Sequence, residues 1–120
     1  MGPQGVRFPQ QAAIEAYGNG GFRFAGMSHR GSLLCLPSGV YDWSAIALDG
    51  LTVEHFVRVF ADTSRIGFVL LGTGRTVAMP SPEIRRAFAD HTIGLEVMDT
   101  GAAARTYNWP VGVPCVSSIW

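Results

Sequence analysis

Asp99, Thr100, Arg105, Tyr107 and Asn108 place a carboxylate, a hydroxyl, a guanidinium, a phenol and an amide in one short stretch. A helix that merely faces solvent needs no such mixture. Asp99 could act as a base or a ligand, and the planar fork of Arg105 could hold an anion. Each residue also has an ordinary use. A carboxylate beside a helix start is stabilised by free amides and the helix dipole, so Asp99 suits local capping, and Thr100 is expected to be the cap of the helix that follows. Arg105 can reach back to Asp99 as an ion pair that fixes the strand end. Tyr107 lies two positions from Arg105 and cannot share its face, whereas Gly101, Ala104 and Asn108 can share one. Packing and C-capping are the usual tasks of Tyr107 and Asn108.

A second polar turn, Gly72-Thr73-Gly74-Arg75, closes the most apolar strand of the chain. In an open sheet such strand ends lie side by side along one rim. The two turns are therefore expected to form a shared binding ledge of Gly72, Thr73, Gly74, Arg75, Asp99, Thr100, Arg105, Tyr107 and Asn108. The glycine turn is too short for a Walker loop and no lysine follows it. It also suits a tight turn where backbones approach, with Arg75 a solvated charge. No catalytic residue is assigned. His29, His55 and His91 fall in a turn, a helix and a helix end without metal-ligand spacing. No Gly-x-Ser-x-Gly elbow exposes a serine, and Cys35 sits in an aliphatic strand that quiets a thiol. Neither a metal nor a cofactor is expected.

Composition narrows the class. The 120 residues suffice for one domain, and 48% hydrophobic against 15% charged residues excludes a disordered chain. Formal net charge is zero, so no basic field exists to bind nucleic acid through its phosphates. All nine basic residues are arginine, which removes Schiff-base and P-loop chemistry, both of which need an amine. Apolar runs reach only about six residues, far below the roughly 20 of a membrane-spanning helix. Residues Met1 to Gln11 lack the apolar core of a secretory signal and are expected to be a flexible leader. Cys35 and Cys115 allow at most one bridge and show no redox or zinc spacing, which favours a reducing compartment. The expected location is cytoplasmic, or the mitochondrial matrix in a eukaryote.

The elements that position the two turns follow from periodicity. Ala12 to Tyr17 and Phe22 to Phe24 are expected to be strands of a hairpin closed by Gly18-Asn19-Gly20-Gly21. Ser28-His29-Arg30-Gly31 is expected to be a second turn, and Ser32 to Leu36 a buried strand stopped by Pro37-Ser38-Gly39. Tyr41 to Leu48 is expected to be extended, with Asp49-Gly50 as a turn. Thr52 suits the N-cap of a helix burying Val53, Phe56, Val57 and Phe60 at i, i+3, i+4 and i+7, with Glu54 and Arg58 paired on its outer face. Ile66 to Leu71 does not alternate, the mark of a strand covered on both faces. Thr76 to Met79 is short and extended. Ser81-Pro82-Glu83 opens a helix ending near His91, Leu95 to Met98 is the next strand, and a third helix begins at Gly101.

Tyr17-Gly18, Gly21-Phe22-Arg23, Pro37, Trp43, Leu70-Leu71-Gly72-Thr73-Gly74 and Met98-Asp99-Thr100 through Arg105-Thr106-Tyr107-Asn108 together carry a resemblance. From Ala12 to Asn108 the chain resembles the domain-of-unknown-function family that includes mitochondrial respiratory complex I assembly factor three and the adipogenesis-associated domain protein. The resemblance implies a single three-layer α/β domain, a central mixed β-sheet flanked by helices and an N-terminal β-hairpin, with the two polar turns adjacent. It assigns no reaction and points to protein partners, respiratory-complex subunits among them. After Asn108 the likeness breaks, because Pro110 and Pro114 stop the helix that family members continue. Residues 109–120 are therefore expected to be a non-helical tail after a domain spanning 12–108, and deleting Pro110 to Trp120 is expected to leave that domain folded. The expected function is a non-enzymatic protein-interaction module. The alternative is a small-molecule carrier or enzyme using the same ledge.

Overall fold

The computed structural model describes residues 6–10, 12–18, 20–45, 48–108 and 116–119. In chain order they form β1 (Val6–Phe8), β2 (Ile14–Gly18), β3 (Gly21–Phe24), β4 (Met27–Arg30), β5 (Leu33–Leu36) and β6 (Gly39–Asp42). A 3₁₀ turn at Leu48–Gly50 precedes a second at Val53–Phe56, which runs into α1 (Val57–Phe60). Then come β7 (Phe68–Thr73), α2 (Pro82–Asp90), β8 (Gly94–Met98), α3 (Thr100–Asn108) and β9 (Val116–Ile119).

The main sheet has the order β1-β6-β5-β9-β7-β8. It is antiparallel from β1 to β9 and parallel from β9 through β7 to β8. Strands β2, β3 and β4 form a separate antiparallel sheet. Two apolar cores result. On one face Leu34, Leu36, Val69 and Leu71 meet Phe56, Val59, Ile84 and Phe88 from the helical layer, where the Phe56 and Phe88 rings pack edge to face at 4.9 Å. On the other, Leu33, Cys35, Val40 and Leu70 meet Phe22 and Phe24 of the small sheet and Ala103, Ala104 and Tyr107 of α3. Because β7 contributes to both cores, its run is apolar without alternation, and the three-layer α/β architecture is as expected.

Three local expectations are corrected. Ser28-His29-Arg30 is strand β4 and not a turn; the reversal lies two residues earlier, at Ala25 and Gly26, whose φ angles of 49° and 73° match a two-residue hairpin loop. The first helix opens as a 3₁₀ turn, so its side chains do not keep the 3.6-residue period, and Val59 enters the core while Val57 faces solvent. On the outer side of α1, Arg58 lies over the Tyr41 ring, 4.4 Å from its centre. Finally, segments expected outside the domain carry strands. The backbone of Val6–Phe8 pairs with β6, and that of Val116–Ile119 fills the place between β5 and β7. Cys115 and the Trp109 to Pro114 stretch lie outside the described residues.

Candidate functional site

The ledge begins with two parallel neighbours. Strands β7 and β8 run in register to Gly72 opposite Met98, so both emerge at the same sheet edge. The chain then takes opposite courses, to α2 on one face and to α3 on the other. Strand ends where the following connections diverge in this way are where open α/β sheets place their ligands. The two turns are braced together: the Thr100 amide donates to Gly74 O at 2.8 Å, and the Gly74 amide donates to Thr100 Oγ1 at 2.9 Å. Thr73 Oγ1 extends the brace, lying 3.3 Å from Met98 O and 2.7 Å from Thr76 O and accepting the Ala78 amide at 3.1 Å.

Within the second segment the residues divide. Asp99, not Thr100, caps α3, its Oδ1 accepting the Ala102 amide at 2.8 Å. Thr100 is the first helical residue and is buried, and its hydroxyl holds the neighbouring turn. Arg105 turns away from Asp99, and its Nη1 donates to Tyr17 Oη at 2.8 Å. Asn108 closes a two-bond clasp on β2, its Nδ2 donating to Ile14 O at 2.6 Å and its Oδ1 accepting the Ile14 amide at 2.9 Å. Tyr107 points inward, where its side chain hydrogen-bonds Cys35. Burial pushes that thiol up to about 12, with the Tyr107 bond opposing the shift.

The structure thus brings Gly72, Thr73, Gly74, Asp99 and Thr100 together, while Arg105, Tyr107 and Asn108 tie α3 to the small sheet and the core. Tyr17 was missed as Arg105's partner because the two lie on elements far apart in sequence. One signal existed: Gly101, one turn before Arg105, lacks a side chain, and a Cβ there would stand 2.8 Å from Tyr17 Oη. Arg75 is exposed as expected, but the exposure of Val77 and Met79 beside it, 56% and 59%, was unforeseen. The three histidines are engaged locally: Nε2 of His29 with Ser32 O, Nδ1 of His55 with the Thr52 amide, Nδ1 of His91 with Ala87 O. Among the described residues no helix is long and apolar enough to cross a membrane.

Comparison with known proteins agrees with the fold. A Bartonella henselae protein described as an outer membrane protein is 40% identical, with a TM-score of 0.84 over 94% of this chain and 96% of that one. A protein of Rhodopseudomonas palustris is 38% identical, with a TM-score of 0.82 over 99% and 90%. Among curated sequences, the mouse protein named NADH dehydrogenase [ubiquinone] 1 alpha subcomplex assembly factor 3 is 31% identical over 102 residues, 85% of this chain. The match spans 55% of that protein, so the chain covers about half the length of this relative. The family model for proteins of unknown function DUF498/DUF598 matches residues 14–112, bearing out the resemblance drawn from the motifs between Tyr17 and Asn108. The chain belongs to the DUF498/DUF598 family.

Proposed function

We propose that the chain is a non-enzymatic interaction module that engages a protein partner through the ledge of the Gly72 to Arg75 turn and the Asp99 to Asn108 segment. One observation carries this reading: two turns braced by reciprocal Gly74 and Thr100 hydrogen bonds stand beside Arg75, Val77 and Met79, which are exposed. A rigid polar frame next to exposed apolar side chains suits a protein interface, whose centre is apolar and whose rim is polar. The name of the mouse relative directs the search for partners to subunits of NADH dehydrogenase. The alternative, a small-molecule or catalytic site, has less in its favour, since one Asp99 oxygen is held by the Ala102 amide and Arg105 by Tyr17.

Affinity capture of the tagged chain from its native organism tests the proposal. A discrete protein partner should be recovered by the wild type and lost from a Val77→Asp, Met79→Asp double variant that keeps its melting temperature. Capture of the same partner at wild-type yield by that variant and by Arg105→Ala would count against it. Saturable stabilisation in a thermal-shift ligand screen, abolished by Asp99→Ala, would favour the small-molecule reading.

A further inference from the structure

Away from the ledge, the small sheet carries an open trough of about 490 Å³. Its floor follows from the strand register. One cross-strand row is Ala16, Arg23 and Ser28, and the next is Gly18, Gly21 and Arg30. Positions two apart along a strand project from the same face, so the second row offers one long side chain above bare backbone. The glycines are required by the chain itself. Gly18 and Gly20 adopt φ angles of 139° and 79°, and a Cβ on Gly21 would collide with the carbonyl oxygen of His29. The consequence is a floor that a ligand can approach to backbone distance.

Charge around the trough has one sign. Arg23 and Arg30 line it and no carboxylate does. The nearest acid to Arg23, Glu15, sits outside the lining at 3.8 Å from Nε, with both side chains about half exposed, and such a pair contributes little. Among the described residues Arg30 forms no ion pair. Arg23 is steered across the sheet by Ser28, whose Oγ accepts from Nη1 at 3.4 Å. Arg23 and Arg30 are diagonal neighbours on adjacent strands, a relation that sets Cβ atoms roughly 7–8 Å apart, within reach of one oxyanion for two long side chains.

We propose that this trough binds a small ligand bearing a carboxylate or phosphate group, gripped between Arg23 and Arg30 above the floor of Gly18, Gly20 and Gly21. Its volume lies within the roughly 300–1,000 Å³ of small-molecule sites, and guanidinium forks are matched to both oxyanions. The site is separate from the ledge and stands or falls without it.

The test is a titration of the ¹⁵N-labelled full chain, at constant ionic strength, with inorganic phosphate in one series and citrate in another. Saturable amide shifts are expected at Gly18, Gly20, Gly21 and Arg30 in at least one series. The dissociation constant should rise at least about tenfold in Arg30→Gln and in Arg23→Gln, because charge-assisted hydrogen bonds are worth that much. Glu15→Gln, which removes the competing acid, should tighten binding. Response to phosphate alone assigns a phosphorylated ligand, response to citrate alone a carboxylate ligand, and response to both a general oxyanion site. Shifts that are uniform or fail to saturate in both series would overturn the proposal. So would wild-type affinity in an Arg23→Gln, Arg30→Gln double variant with an otherwise unchanged spectrum.

Discussion

A single hydroxyl joins the two turns of the ledge. Thr100 Oγ1 accepts the Gly74 amide in a setting where Thr100 is fully buried. Thr100→Val keeps the shape and leaves that amide without its acceptor, so urea unfolding should show a loss of about 1–3 kcal/mol, recovered largely by Thr100→Ser. A loss no larger in Val than in Ser would remove the brace from the account. The chemistry of this stretch was legible in the residue types, but the division of labour was not. Asp99 and Thr100 are both good caps, and only the position of the neighbouring turn decides which hydroxyl or carboxylate is needed elsewhere. Cys35 was legible as a quiet thiol. With its folded value raised from 9.0 to about 12, the folded state holds a proton that the unfolded chain releases. Stability is thus unaffected by this group below about pH 9 and falls as pH rises from 9 toward 12, by at most about 1.4 kcal/mol per pH unit. Denaturation of Cys35→Ala should show a shallower alkaline decline than the wild type, and an identical decline would assign the effect to other groups.

At the scale of elements, legibility followed the strength of local punctuation. Ser81-Pro82-Glu83 announced α2 because the cap, the N1 proline and the first-turn acid all act within one turn, and the Ile84 amide does donate to Ser81 Oγ at 3.3 Å. Strand β4 was hidden because serine, histidine, arginine and glycine are turn-type residues, while the residues that make the reversal, Ala25 and Gly26, gave only half the usual signal. The far end of α2 offers a test. The amides of Thr92 and Ile93 donate to Ala89 O and Phe88 O, closing the helix with Thr92 at a φ of 58°. A β-branched residue is strained in that left-handed region, where glycine is at ease. Thr92→Gly should therefore raise stability by about 0.5–1 kcal/mol after allowing for the freer unfolded chain, measured as an increase in the urea midpoint. A decrease would mean that the threonine side chain contributes more than its backbone strain costs.

For the molecule as a whole, the three layers could be anticipated because β7 is apolar on both faces and is followed by helices of clear amphipathic pattern. The sheet order could not, since nothing local says that the last described strand inserts between two others. Backbone pairing places Val116 between Cys35 and Leu70, and Ser117 between Leu34 and Leu71. Strands β5 and β7 are buried and have no direct pairing with each other, so they depend on β9 for one side of their ladders. Truncation before Val116 would leave buried amides and carbonyls of two core strands unpaired, each a cost comparable to a lost hydrogen bond, and would open a long apolar edge. A chain ending at residue 115 is accordingly expected to lose its cooperative melt by circular dichroism and to expose apolar surface to a hydrophobic dye. Ser117→Pro provides a milder check, because a proline in a central strand removes a ladder amide and leaves its acceptor unsatisfied, which should cost about 1–3 kcal/mol. A truncated chain melting cooperatively within a few degrees of the full one, together with a near-neutral proline, would show that β5 and β7 close on each other without the final strand.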